Sequence, residues 1–293
     1  MGMEFYSLNC TDKDLESGGS GQGVVLLPHQ GPSLAVDSPK IKAFSVPTSS
    51  VVCDCQRNGG EGSGAQLFGD ILNEMHDGLG PSITWMDPVG IPVKCLARLL
   101  SDFANMTRTP HSSALGIRLH ELCRLHVPGD SQPWEIIPWL ASGSASAPLN
   151  PVWYADLGQP TSDLKSIASA ISPLEFFPLV EFPAESIPER RANWSQHRVL
   201  LETHHVRTER FIHYSNRWPD RVFRQLTNSF EAHSRAVGVS RSVAVTPGAP
   251  GPAYIAILAA AAVSNAFLVM DPNCVPFPAN NAIAGSIVLR VRE

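Results

Sequence analysis

The stretch VSRSVAVTPGAPGPAYIAILAAAAVSNAFLVM, residues 239–270, carries the densest run of structure-forming residues in the chain. VSRSVAVT (239–246) has the β-branched content of a strand, and PGAPGP breaks it. AYIAILAAAAV and NAFLVM follow as apolar pieces, and DPNCVPFP is the next breaker. Between 253 and 270 only Ser264 and Asn265 are clearly polar. A membrane span needs about 20 apolar residues. This stretch is short of that, alanine-rich and without basic flanks, so a buried hairpin or core helix is expected. The chain closes on IAGSIVLRVRE, where Ile283, Ile287, Leu289 and Val291 face one way and Arg290 and Arg292 the other. That alternation is the mark of a half-buried strand.

Working towards the N-terminus, residues 219–237 predict the best helix. Pro219 sits in its first turn, Asp220 near its positive end, and Val222, Leu226, Phe230, His233 and Val237 form one stripe ending at Gly238. RVLLETHHVRTERFIHY (198–214) reads as mostly extended from its β-branched and aromatic content. Prolines at 173, 178, 183 and 188 bar an α-helix from 173–190, which reads as an extended apolar segment. A short helix is expected over 162–171, capped by Thr161 or Ser162. Residues 127–160, rich in Pro, Ser and Trp, predict little regular structure.

Three short amphipathic helices are expected at about 65–78, 92–104 and 113–126. Their stripes are Leu67, Phe68, Ile71, Leu72, Met75 and Leu79; Val93, Leu96, Leu100 and Phe103; and Leu115, Leu119 and Leu122. Glycine-serine runs at 16–23 and 57–64 bracket the strand-like pieces VVLLPH (24–29) and VPTSSVVCDC (46–55). The expected fold class is therefore α+β. A helical cluster at about 65–126 packs with a mainly antiparallel sheet from the N- and C-terminal regions, because helices segregated from strands argue against an alternating βαβ sheet. A β-sandwich with helical insertions is the alternative. The expected domains are a flexible N-terminal arm with short strands over 1–64 and a single α+β body over 65–293.

The 293 residues carry a net charge of −5, with 43% hydrophobic and 17% charged residues. That excludes a fully disordered chain and a generic polyanion binder. No secretory signal is read in MGMEFYSLNC, so Cys10, Cys53, Cys55, Cys95, Cys123 and Cys274 are expected to be reduced thiols. Chemical motifs are sparse. Cys53-x-Cys55 with Cys123, His120 or His126 makes a poor zinc site, because thiolates one residue apart point to opposite faces of a strand. His197, His204, His205 and His213 suggest a protonation switch, yet neighbours in a strand diverge, and ordinary polar filling is the plainer reading. Cys95 with His111 lacks any local signature of a nucleophile. No phosphate loop and no glycine fingerprint between a strand and a helix are present. No catalytic, cofactor or metal residue is assigned, and no cofactor is expected. Arg207, Arg210, Arg217, Arg221 and Arg224, interleaved with Phe211, Tyr214 and Trp218, have the right types for nucleic-acid contact, diluted by Glu202, Glu209 and Asp220.

The basic residues are lopsided, 17 Arg to 5 Lys, and 25 residues are proline. Arginine and aromatics are enriched at interface centres, where lysine is depleted. With TPGAPGPAY, DPNCVPFPANNA and the terminal GSIVLRVRE, this profile resembles capsid and capsid-surface proteins of fungal double-stranded RNA viruses. The resemblance implies a non-enzymatic structural protein that self-assembles or decorates a viral shell, in the virion and the host cytoplasm. It implies partners that are further copies or a shell protein, no cofactor and no catalytic site; no membrane association is expected from the apolar stretch 253–270. The alternatives are a soluble cytosolic enzyme, hydrolase-like with a Cys/His site, and an RNA-associated module.

Overall fold

The structure is a computed structural model. It describes residues 2–8, 23–28, 41–46, 83–86, 114–120, 135–137, 150–182, 187–235, 242–248, 252–270 and 283–292, with six helical positions between 93 and 104. The chain divides into two compact units, one of residues 1–125 with 273–293, the other of residues 126–272.

In the first unit, β1 (Gly2–Leu8), β2 (Gly23–Pro28), β3 (Ile41–Val46), β4 (Ile83–Met86) and β5 (Ala114–His120) share a sheet with the C-terminal strand Ile283–Arg292. The terminal strand lies between β1 and β5, antiparallel to both. Pairs β2–β3, β2–β4 and β4–β5 are parallel. The expected strand at 24–29 and the terminal strand are present. The helix expected over 113–126 is not: Ala114–His120 is a strand. Leu115 and Leu119 fit a helical stripe, but Leu115, Ile117 and Leu119 also alternate, and pairing on both sides by β4 and the terminal strand decides the matter. Val93, Leu96, Ala97, Leu100 and Ser101 are helical and buried, as expected for 92–104. The helix expected at 65–78 and the glycine-serine runs, apart from Gly23 at the start of β2, lie outside the described residues.

The second unit alternates strands and helices. Its order is β6 (Glu135–Ile137), β7 (Val152–Asp156), α1 (Thr161–Ile171), β8 (Glu175–Glu181), α2 (Ile187–Thr203), β9 (Ile212–Tyr214), α3 (Pro219–Ser234), β10 (Val243–Thr246), α4 (Pro252–Val263) and β11 (Phe267–Met270). In space the strands run β6-β11-β10-β7-β8-β9. All pairs from β11 to β9 are parallel, and only β6 is antiparallel. The chain combines helices and strands as expected, but the expected segregation and antiparallel sheet do not hold. Of the ten strand pairings described, seven are parallel.

The reason lies in β7, VWYAD, where every residue is buried. A strand covered on both faces shows no alternation, so it reads as loop beside Pro151. Trp153 and Ala155 face the apolar cluster built by Leu164, Ile167 and Ile171 of α1 and Leu200 and Leu201 of α2. Tyr154 points the other way, edge-on to Phe230 of α3 at 4.7 Å. Two stacked aromatic pairs therefore join β7 to β8, one on each face: Trp153–Phe176 at 4.5 Å and Tyr154–Phe177 at 5.1 Å. α4 packs on α3, and its Tyr254 hydroxyl reaches Met270 Sδ of β11 at 3.9 Å. Helices thus cover both faces, the doubly wound arrangement, which also sets aside a β-sandwich for this unit.

The stretch 198–214 is extended only over β9 at its end. α2 runs to Thr203, followed by a 3₁₀ turn at Thr208–Arg210. His197, Leu200 and Leu201 are buried and His204 is half-buried, a helical stripe hidden by imidazoles that read as polar. Among the described residues of the 173–190 segment, the extended part is β8, and Pro188 lies in the first turn of α2. Pro178 sits inside β8 without breaking it. Leu157 N–H bonds the Leu179 carbonyl, so Leu179 faces β7 and Pro178 faces the β9 side, where pairing begins only at Leu179. The 253–270 stretch forms a core helix, buried from Ala253 to Ala262, then a turn and a strand. No helix among the described residues is long and apolar enough to cross a membrane.

α2 ends on His205 at φ 49°, where Val206 N–H bonds the Leu201 carbonyl at 2.9 Å. This left-handed position favours glycine. His205→Gly is expected to raise stability by about 0.5–1 kcal/mol, read as a higher denaturant midpoint at unchanged slope.

Candidate functional site

The parallel strands, numbered along the second unit from β7, lie in the order 3-2-1-4-5. Successive connections leave β7 in one direction for β8 and β9, then return past it to β10. The carboxyl ends of β7 and β10 are thus the topological switch point, where loops diverge and open α/β sheets bind ligands.

Asp156 closes β7 at this point and is 2% exposed. Its Oδ1 accepts from the Gly158 N–H at 2.7 Å and its Oδ2 from the Tyr214 hydroxyl at 2.5 Å. Burial pushes its pKa up to about 6; the Tyr214 and Gly158 bonds pull downward and the Glu181 charge adds to the rise. Burial, then the adjacent Asp156 charge, hold the Tyr214 hydroxyl well above its usual value. Gly248, just past β10, presses on this carboxyl: a Cβ there would stand 2.1 Å from Asp156 Cγ.

The β7–α1 loop is held from several sides. Gln159 Nε2 donates to the Pro247 carbonyl at 2.6 Å, and Trp153 Nε1 to Thr246 Oγ1 at 2.9 Å. His197 Nε2 lies 2.8 Å from the Leu157 carbonyl and Nδ1 lies 3.2 Å from Thr161 Oγ1. Burial lowers the pKa of His197, so the neutral ring donates to the carbonyl. At the end of β8, Glu181 Oε1 accepts from Asn216 Nδ2 at 2.7 Å, and Asn216 Oδ1 accepts from the Ala253 N–H at 2.9 Å. Beyond β9 a depression of about 190 Å³ is lined by Phe182, His213, Tyr214, Trp218 and Arg221 among others. The Arg221 guanidinium stands over the Trp218 ring at 4.8 Å.

The histidines of 197–213 do not converge. His197 pins a loop, His204 meets Phe176 edge-on at 6.0 Å, His205 caps α2, and His213 faces the depression beside Phe182. Of the five arginines, Arg210 lies 3.5 Å from Glu175 and Arg224 pairs with Asp220 at 2.6 Å. Arg207, Arg217 and Arg221 are exposed. Cys53, Cys55, Cys123, His126, Cys95 and His111 lie outside the described residues, and of His120 only its place in β5 is described. No group of metal-ligating side chains occurs among the described residues. Asp156, Gly158, Tyr214 and Gly248 were not legible as a site: an apolar run ending in Asp-Leu-Gly before a helix was their only local signal.

No protein-family model matches the chain, and no curated protein matches it.

Asp156 keeps its proton in the folded state to about pH 6, whereas the unfolded chain loses it near pH 3.8. Its ionisation therefore costs the folded state stability as pH rises from about 4 to about 6, and the cost persists above. Asparagine cannot ionise. The stability of Asp156→Asn relative to wild type is expected to rise over that interval by about 2–3 kcal/mol, measured by urea unfolding at stepped pH. A pH-independent difference would contradict the assignment.

Proposed function

We propose that residues 126–272 form a binding module for a nucleoside-type small molecule at the carboxyl edge of the sheet. The observation that carries this reading is the 3-2-1-4-5 strand order with its switch point at Asp156 and Gly248. Doubly wound sheets of this order bind nucleotides there, with a first turn on the phosphates and an acid at the end of the second strand on the ribose. The analogy is one of fold. Glu181 ends the second strand, about twenty residues after Gly158, and is exposed. The first turn departs from the nucleotide pattern. It holds one glycine, Pro160 contributes no N–H, and Asp163 sits in the first turn of α1. An anion meets repulsion there, which favours a ligand without pyrophosphate.

A second reading, a self-assembling or shell-decorating viral structural protein, is supported by the exposure of Leu174, Phe182, Val199 and Trp218, from 44% to 59%. Size-exclusion with light scattering on the full chain is its test. A particle or ring is the expected outcome, and a monomer in the presence of a candidate shell partner counts against it.

For the first reading, the full chain is titrated with ribonucleosides, 2′,3′-dideoxynucleosides and nucleoside diphosphates in thermal-shift and calorimetric assays. Ribonucleosides are expected to stabilise the fold and diphosphates to bind more weakly. Glu181→Gln is expected to weaken ribonucleosides about tenfold, the loss of one charge-assisted hydrogen bond, and to leave dideoxynucleosides unchanged. Absence of binding by every ribonucleoside would overturn the reading.

A further inference from the structure

The depression beyond β9 lies on the same edge as the switch point. Tyr214 joins the two: it lines the depression and its hydroxyl bonds Asp156. Glu181 immediately precedes Phe182, another lining residue.

Size limits what fits. The volume of about 190 Å³ exceeds the roughly 30 Å³ share of one water and falls below the 300–1,000 Å³ of sites for drug-sized ligands. One ring system fits, and a whole nucleotide does not. The lining limits the chemistry. Trp218 is 53% exposed and Phe182 44%, a large apolar area left to water. The Arg221 guanidinium lies over the indole, and His213, Ser215 and Gln225 supply polar edges. Aromatic faces backed by a guanidinium and rimmed by hydrogen-bonding groups suit a planar heterocycle, which stacks on its face and bonds at its edge.

We propose that this depression is the base subsite of the nucleoside ligand, with Trp218 and Phe182 as its stacking surfaces. The proposal rests on the nucleoside-binding reading above and adds the placement of the base. A base held here leaves its sugar towards Glu181 and Asn216, at the end of the neighbouring strand.

The test uses the full chain with adenosine, uridine, ribose and hexa-adenylate RNA as calorimetric probes. Trp218→Ala and Phe182→Ala remove exposed rings, and circular dichroism checks that each variant folds. Adenosine is expected to bind wild type in a one-to-one complex. Trp218→Ala is expected to weaken it tenfold or more, in line with the loss of one base–aromatic stack, and Trp218→Phe to restore most of the affinity. Ribose alone is expected to bind far more weakly and to ignore both alanine changes. Adenosine affinity unchanged in Trp218→Ala and Phe182→Ala, but reduced in Glu181→Gln, overturns the subsite and leaves the nucleoside reading standing. Failure of every ribonucleoside to bind wild type, adenosine and uridine included, overturns both. Hexa-adenylate binding through Trp218 with adenosine silent makes the occupant single-stranded RNA and also overturns the proposal.

Discussion

Burial of β7 on both faces is the constraint from which the second unit follows. Five consecutive buried residues leave no wet side to the strand, so helices must cover it above and below. The chain meets this by placing α1 and α2 against Trp153 and α3 against Tyr154. The strand must then be flanked in the sheet as well, and the return from β9 to β10 supplies the missing neighbour. That return creates the divergence of loops at Asp156. Fold and candidate site are two results of one requirement.

Legibility in the sequence tracks exposure. α1 and α3 have one wet face, and their stripes stand out: Leu164, Ile167, Ala168 and Ile171 in one, Val222, Leu226 and Phe230 in the other. β7 has none, and its run beside Pro151 looks like loop. α2 was hidden for a different reason. Its inward residues include His197 and His204, and a buried imidazole on a carbonyl carries no hydropathic signal. β5 was a conflict of periods, settled by pairing partners far away in sequence. The aromatic and arginine cluster at 207–224 was visible as composition, but its concavity was not. Asp156 and Gly248 are separated by most of the unit, and only the strand order brings them together.

The edge is polarised in a particular way. Asp156 is buried and held by a hydroxyl and an amide, while Glu181 one strand over is exposed. Two carboxylates on one edge therefore serve two purposes. The inner acid ties β7 to β9 and the turn, and the outer one holds Asn216 at the exposed edge. His197, neutral and donating to the Leu157 carbonyl, fixes the loop between them without adding charge.

The two rims of the second sheet are both three-residue strands, β9 and β6. A neighbouring polypeptide recruited by backbone pairing needs a long run of unsatisfied donors and acceptors to dock on. Rims this short, with Pro178 withholding a donor just where β9 starts, offer almost no template. Among the described residues, the rims of this sheet therefore favour contact through helices and loops over extension of the sheet from one molecule into the next.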